Sequence, residues 1–159
     1  ASLMHLHAET WVNRPRETVF PFFAEAANLQ QLTPPWLRFE IRTPQPIEMR
    51  VGALIEYRIS LHGLPMSWRT EISAYNPPEM FVDRQLRGPY RTWIHTHEFR
   101  AQDGGTLLLD HVEFDMLGGV IVGPLVRRDL QKIFTYRHEA LLAYFDQPKP
   151  WSPAKIRFS

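Results

Sequence analysis

The chain has 159 residues, enough for one domain whose single core removes roughly two-thirds of the unfolded chain's surface from water. Its composition, 44% hydrophobic and 22% charged, is that of an ordinary globular protein, and a formal net charge of +1 supplies no long-range field to gather a polyanion, so nucleic acid is not expected as a partner. The absence of cysteine excludes a disulfide framework, a thiolate nucleophile and a thiolate metal site, and accords with a cytoplasmic location.

Residues Leu3 to Val12 open the chain with strict alternation. Met4, Leu6, Ala8, Thr10 and Val12 share one face, and His5, His7, Glu9 and Trp11 share the other, which predicts a half-buried strand with His5 and His7 facing solvent. Asn13-Arg14-Pro15 ends that strand, and Pro15 with Glu17 suits the first turn of a helix carrying Val19, Phe20, Phe22 and Phe23. A second helical piece, Asn28 to Leu32, stops against Pro34-Pro35, which cannot continue it. No segment approaches ~18 consecutive apolar residues and no charged start precedes a long apolar run, so neither a transmembrane segment nor export is expected.

From Leu37 the punctuation is that of strands. His62-Gly63-Leu64-Pro65, Asn76-Pro77-Pro78, Arg87-Gly88-Pro89 and Asp103-Gly104-Gly105 mark turns between the predicted strands Leu37–Thr43, Ala53–Leu61, Met66–Tyr75, Phe81–Leu86, Tyr90–Ala101 and Thr106–Met116. Short connections between successive strands imply an antiparallel meander. Gly118-Gly119 and Gly123-Pro124 are read as the bend, and a gate for ligand entry, before a helix from about Leu125 to Phe145. Its apolar stripe is Val126, Leu130, Ile133, Phe134, Arg137, Leu141 and Tyr144 or Phe145. The single domain is expected to span 1–146, and the Pro-rich basic tail 147–159 to be irregular, with a contact to a membrane surface or a partner as the alternative.

One long amphipathic helix needs an apolar surface to cover it, and a curved antiparallel sheet with one apolar face supplies that surface. A space left between the two is a natural small-molecule site. Three stretches carry a resemblance to a known family: Val12-Asn-Arg-Pro-Arg-Glu-Thr-Val-Phe20, then Trp93-Ile-His-Thr-His-Glu-Phe99 with Gly105-Thr-Leu-Leu-Leu-Asp-His-Val112, and Leu130-Gln-Lys-Ile-Phe-Thr-Tyr-Arg137. With the order of elements, they resemble the START-like (SRPBCC) superfamily and its bacterial polyketide cyclase/dehydrase-like ligand-binding branch. The resemblance runs from Leu3 to Phe145. It implies an α+β helix-grip fold: a curved antiparallel sheet of about seven strands, two short helices after the first strand, and a long C-terminal helix enclosing a cavity. The superfamily includes lipid carriers and enzymes, so the function has to be argued from the site.

Alternation assigns the face toward the helix. It carries Ile55, Tyr57, Ile59 and Leu61; Met66, Trp68, Thr70 and Ile72; Phe81, Asp83 and Gln85; Trp93, His95, His97 and Phe99; and Leu108, Asp110, Val112 and Phe114. The expected ligand-binding set is therefore Tyr57, Trp68, Asp83, Gln85, Trp93, His95, His97, Asp110, Phe114, Phe134 and Arg137. Arg137 breaks the apolar stripe of its helix, and Asp110 or Asp83 is its expected partner. Two roles fit it: a buried or snorkelling ion pair, or a guanidinium that binds a ligand carboxylate or enolate. His95 and His97 share a face, but a zinc site needs a third protein ligand and only Asp110 is at hand, so no metal or other cofactor is expected. No phosphate loop or nucleophile elbow is present.

Three functions are compatible with this reading. The first is binding of a small apolar or aromatic molecule, lipid-like, isoprenoid or polyketide-like. The second is a cyclase or dehydratase-like reaction with His95 or His97 as base, Asp110 orienting the imidazole and Arg137 steadying the enolate. The third is regulation of a protein partner, with Phe81 or Trp68 filling a closed cavity and an apolar surface patch elsewhere, though no such patch is evident in the sequence. Nothing in the sequence sets the oligomeric state.

Overall fold

The structure, a computed structural model, describes residues 3–159. Strand β1 (Met4–Val12) is followed by helix α1 (Arg16–Ala24), the short helix α2 (Leu29–Leu32) and a two-residue strand β2 (Glu40–Ile41). The meander is β3 (Leu54–Leu61), β4 (Leu64–Asn76), β5 (Met80–Arg87), β6 (Thr92–Gln102) and β7 (Gly105–Asp115). Helix α3 (Gly119–Tyr144) crosses the sheet, and β8 (Lys155–Phe158) ends the chain. All eight strands form one antiparallel sheet in the order β2-β3-β4-β5-β6-β7-β1-β8, the expected helix-grip architecture.

Two of the hairpins are set by backbone chirality. His62 and Gly63 both have positive φ, as do Asp103 and Gly104, so each pair makes a two-residue turn whose twist matches that of the flanking strands. Alternation then follows from these registers. Leu6, Ala8, Thr10 and Val12 are buried on β1, as are Ile55 and Ile59 on β3 and Leu108, Asp110, Val112 and Phe114 on β7. An extra residue, Ser73, bulges from β4 between Ile72 and Ala74, and Tyr75 recovers the inner face beyond it.

The core has two halves. Phe20, Phe22, Phe23, Phe81 and Phe99 pack with Leu141, Leu142 and Phe145 where α1 meets the C-terminal end of α3. Trp68, Tyr90, Val112, Phe114, Val126, Leu130 and Phe134 form the other half.

Three expectations need correction. Helix α3 begins at Gly119, not Leu125: Gly118, at φ +90°, is the bend, while Gly123 and Pro124 lie inside the helix. A proline in the second turn costs one backbone hydrogen bond, and that loss did not stop the helix. The strand expected over Leu37–Thr43 shrinks to two residues, because a single helical turn at Pro35–Leu37 and the left-handed Arg38 use up its first half. The tail is not irregular throughout. In β8, Ile156 and Phe158 oppose Ala8 and Leu6 and extend the apolar face of β1, with Lys155 and Arg157 pointing outward. Of the two alternatives for the last stripe position, Phe145 is buried and Tyr144 is exposed.

Candidate functional site

The meander brings four ionisable side chains into a compact square. Asp83 on β5 lies opposite His95 on β6, and His97 on β6 lies opposite Asp110 on β7. The hydrogen bonds run along the diagonals: His97 Nε2 to Asp83 Oδ2 at 2.6 Å, and His95 Nε2 to Asp110 Oδ1 at 2.7 Å. The two imidazoles stack with centroids 3.6 Å apart. Arg137 closes the square from α3, donating from Nε and Nη2 to the Asp110 carboxylate at 3.3 and 3.2 Å and from Nη2 to His97 Nδ1 at 3.2 Å. Its guanidinium also lies over the Phe23 ring, 5.3 Å from the centroid.

The guanidinium fixes the protons. Arginine has only donors, so His97 Nδ1 accepts, and the His97 proton sits on Nε2 and is donated to Asp83. A second proton on this ring would have to displace Arg137. Burial, followed by the neighbouring His95, pushes the His97 imidazole down to about 4, against the opposing pull of Asp83. His95 donates from Nε2 to Asp110, which leaves Nδ1 with no hydrogen-bond partner among the described residues. Burial is the largest influence on both carboxyls and acts to raise them, but the opposing influences together outweigh it, led at Asp83 by the His97 hydrogen bond and at Asp110 by the charge of Arg137, so both stay ionised below their usual range. With His97 neutral, the two carboxylates face the Arg137 guanidinium and the His95 imidazole.

Asp83, His95 and His97 also bring one donor atom each within 4.8 Å of one another. Their protonation does not suit a metal. Binding through His97 Nε2 would move the ring proton to Nδ1, directly against the N–H of Arg137. The set is a hydrogen-bonded network.

This network forms one end of a cavity between sheet and helices, with about 170 Å³ of space for the centre of a water-sized sphere. One water needs only about 15 Å³ on that measure, so the interior is not filled by its own side chains. Of the expected site residues, Tyr57, Trp68, Asp83, Trp93, His95, His97, Phe134 and Arg137 lie on the wall. Three lie off it. Asp110 sits behind the His95 imidazole it orients, and Phe114 packs against Tyr90 and Phe158. Gln85 uses both ends of its amide on the backbone of Tyr90, 2.6 and 3.0 Å away, and so clamps the β5–β6 turn. Phe81 does not plug the cavity either, since its ring stacks on His97 at 4.0 Å.

Inner-face meander residues such as Ile55, Ile59, Thr70 and Ile72 continue the wall, and a further part comes from outside the meander. Phe23, Leu29, Leu37, Phe39 and Met49 contribute from α1, α2 and the segments flanking β2, and Ile133 from α3. Strand parity has no power over these positions, apart from the Ile133 stripe. On the wall, Thr70 Oγ1 receives the Trp68 indole N–H at 3.0 Å and lies 3.4 Å from the Tyr57 hydroxyl. Burial raises the Tyr57 phenol far above its usual range, so it stays neutral. One buried histidine escaped the sequence reading. His138 donates from Nε2 to the Ser152 carbonyl and accepts at Nδ1 from Thr10, both at 2.8 Å, and so ties the tail to α3 and β1. Its position four residues after Phe134 and four before Leu142 on the apolar face was the available signal.

The sequence model for the family described as "Polyketide cyclase / dehydrase and lipid transport" matches residues 12–135. No curated protein matches. Solved structures share the fold. Protein Ms6760 from Mycobacterium smegmatis superposes with a TM-score of 0.67 at 15% identity, over 89% of this chain and 90% of that one. Ginseng major latex-like protein 151 from Panax ginseng gives 0.67 at 13% identity, over 91% and 99%. The nucleoside-diphosphate sugar epimerase from Corynebacterium glutamicum gives 0.62 at 26% identity, over 88% of this chain but 29% of that longer one.

Proposed function

We propose, on the premise that this chain belongs to the polyketide cyclase / dehydrase and lipid transport family, that it binds a small apolar or aromatic molecule in the cavity between sheet and α3. The observation that carries this reading is an open space walled by aromatic and aliphatic side chains, with unengaged polar atoms gathered at one end. Those atoms are the acceptor His95 Nδ1 and the donor Arg137 Nη1, neither of which has a hydrogen-bond partner among the described residues. A ligand of lipid-like, isoprenoid or polyketide-like character with one carbonyl or hydroxyl satisfies both the wall and that end.

Trp68 and Trp93 stand on the wall, so occupancy is readable in tryptophan emission. Titration with an apolar fluorophore such as anilinonaphthalene sulfonate is expected to saturate at one site, with energy transfer from these tryptophans. Ile133→Trp, which fills the space, is expected to abolish it. Equal binding by both proteins would place the probe elsewhere and sink the reading.

A second reading is favoured by one specific contact, the 2.7 Å bond from His95 to Asp110. It holds the imidazole with Nδ1 free, as a general base requires, while both nitrogens of His97 are already engaged. In this reading His95 Nδ1 removes a proton beside a carbonyl and Arg137 Nη1 donates to the enolate oxygen. Deuterium uptake at the α-carbon of a bound 1,3-diketone in heavy water, lost in His95→Gln with binding retained, tests it. Uptake unchanged in that variant contradicts it.

A further inference from the structure

Antiparallel topology gathers the β3–β4 turn, the β5–β6 turn and the start of α3 at one end of the molecule. Thr92 opposite Asp115 joins the second to the third, and the 2.8 Å contact of His62 with Asp129 joins the first to the third. Among the described residues eleven large apolar side chains are exposed, and seven lie at this end, including Leu64, Leu86, Leu117, Val120 and Ile121. Val120 and Ile121 are 94% and 88% exposed, so they project into solvent and do not lie along a groove. This is the surface patch that the sequence did not reveal.

Charge identifies what covers it. Residues 86–92 and 115–129 hold four arginines against two aspartates, in a chain whose net charge is only +1. Asp115 is paired with Arg91 at 2.7 Å and Asp129 contacts His62 at 2.8 Å, and the formal balance of these segments is +2. The exposed Arg127 and Arg128 stand about 10 and about 12 Å along α3 from Val120 at 1.5 Å per residue. Those offsets fall at the upper end of the roughly 5–10 Å depth at which apolar side chains bury below lipid headgroups, within reach of the long arginine side chains. We propose that this end docks tip-first on a bilayer rich in anionic phospholipid, with Leu117, Val120 and Ile121 inserted and Arg127 and Arg128 at the headgroups. A protein partner or second copy fits less well, because fully projecting side chains ringed by one sign of charge do not form a self-complementary surface. Leu61 and Pro89 of the cavity wall belong to the same end, so docking sets the cavity beside the bilayer. The docking itself does not depend on what the cavity holds.

Co-sedimentation with phosphatidylcholine vesicles, with and without about one-third phosphatidylglycerol, tests the proposal. The protein is expected to partition onto the anionic vesicles only, and to leave them at high salt. Val120→Asp with Ile121→Asp is expected to weaken partitioning by more than about tenfold, and Arg127→Gln or Arg128→Gln by about fivefold each. Because these side chains touch solvent, the variants should keep the wild-type urea midpoint, and Leu117→Asp provides an independent second variant. Failure of the wild type to bind anionic vesicles, or undiminished binding by the aspartate variants, overturns the proposal. So does wild-type self-association in sedimentation velocity that the same variants abolish, since the patch would then belong to a second copy.

Discussion

His5-Leu6-His7 on β1 and His95-Thr96-His97 on β6 have the same spacing, and in each the two imidazoles share one face of a strand. On β1 that face is the outer one. His5 Nδ1 meets His111 Nε2 at 3.0 Å, His7 stacks on His111 with centroids 4.5 Å apart, and Arg157 lies across from His7. Their hydrogen-bonding and stacking partners are one another and solvent; partial burial and then Arg157 push the His7 imidazole down. On β6 the face is the inner one, and each imidazole meets a carboxylate 2.6 to 2.7 Å away, with Arg137 above. Spacing alone therefore says nothing about role. The face and the neighbours supplied by the register decide it.

The strongest way to break this contrast is to remove the cation that compensates the inner pair. Arg137→Met leaves the buried Asp110 carboxylate without its guanidinium, and a loss of roughly 3–5 kcal/mol in urea unfolding is expected. The next effect is one of pH. The native His97 value, near 4, lies below the ordinary 6.5, so on acidification the unfolded chain takes up a proton first. The stability held by neutral His97 is complete above pH 6.5 and is lost as the pH falls toward 4, by roughly 3 kcal/mol in all. The carboxylates act in the same direction in a separate window, below about pH 3.8. Urea midpoints measured from neutral pH downward should show the first slope, His97→Gln should flatten it, and His7→Gln should leave it in place.

A smaller effect belongs to the tail. His138→Ala removes two buried hydrogen bonds, and a cost of about 1–2 kcal/mol is expected, with faster amide exchange in β8 as its signature. The smallest belongs to the outer face, where His5→Ala and His7→Ala should stay within about 0.5 kcal/mol of wild type. A large loss there would erase the distinction between the two faces.

Much of the site was legible because period-2 alternation survives the meander. Tyr57, Trp68, Asp83, Trp93, His95 and His97 all reach the wall as their parity required. Parity gives the face but not the partner. Arg137 found Asp110 as the charge argument required, whereas the pairing of His97 with Asp83 depends on a diagonal contact that only the register defines. Gln85 has the right parity, yet the β5–β6 turn captures its amide. The tail was misread because three prolines obscured the alternation of Lys155, Ile156, Arg157 and Phe158, which pairs with β1 only after a long excursion. Exposed Val120 and Ile121 look like core residues in sequence, because apolar character does not reveal whether any surface lies opposite.

An apolar ligand held in the cavity should be recovered by solvent extraction and mass spectrometry of gently purified protein. Wild-type protein should carry one apolar compound in near-stoichiometric amount, and Ile133→Trp, folded and equally expressed, should carry none. The same compound recovered from both proteins, or a wild type that is empty and takes up no apolar probe, would contradict that occupancy.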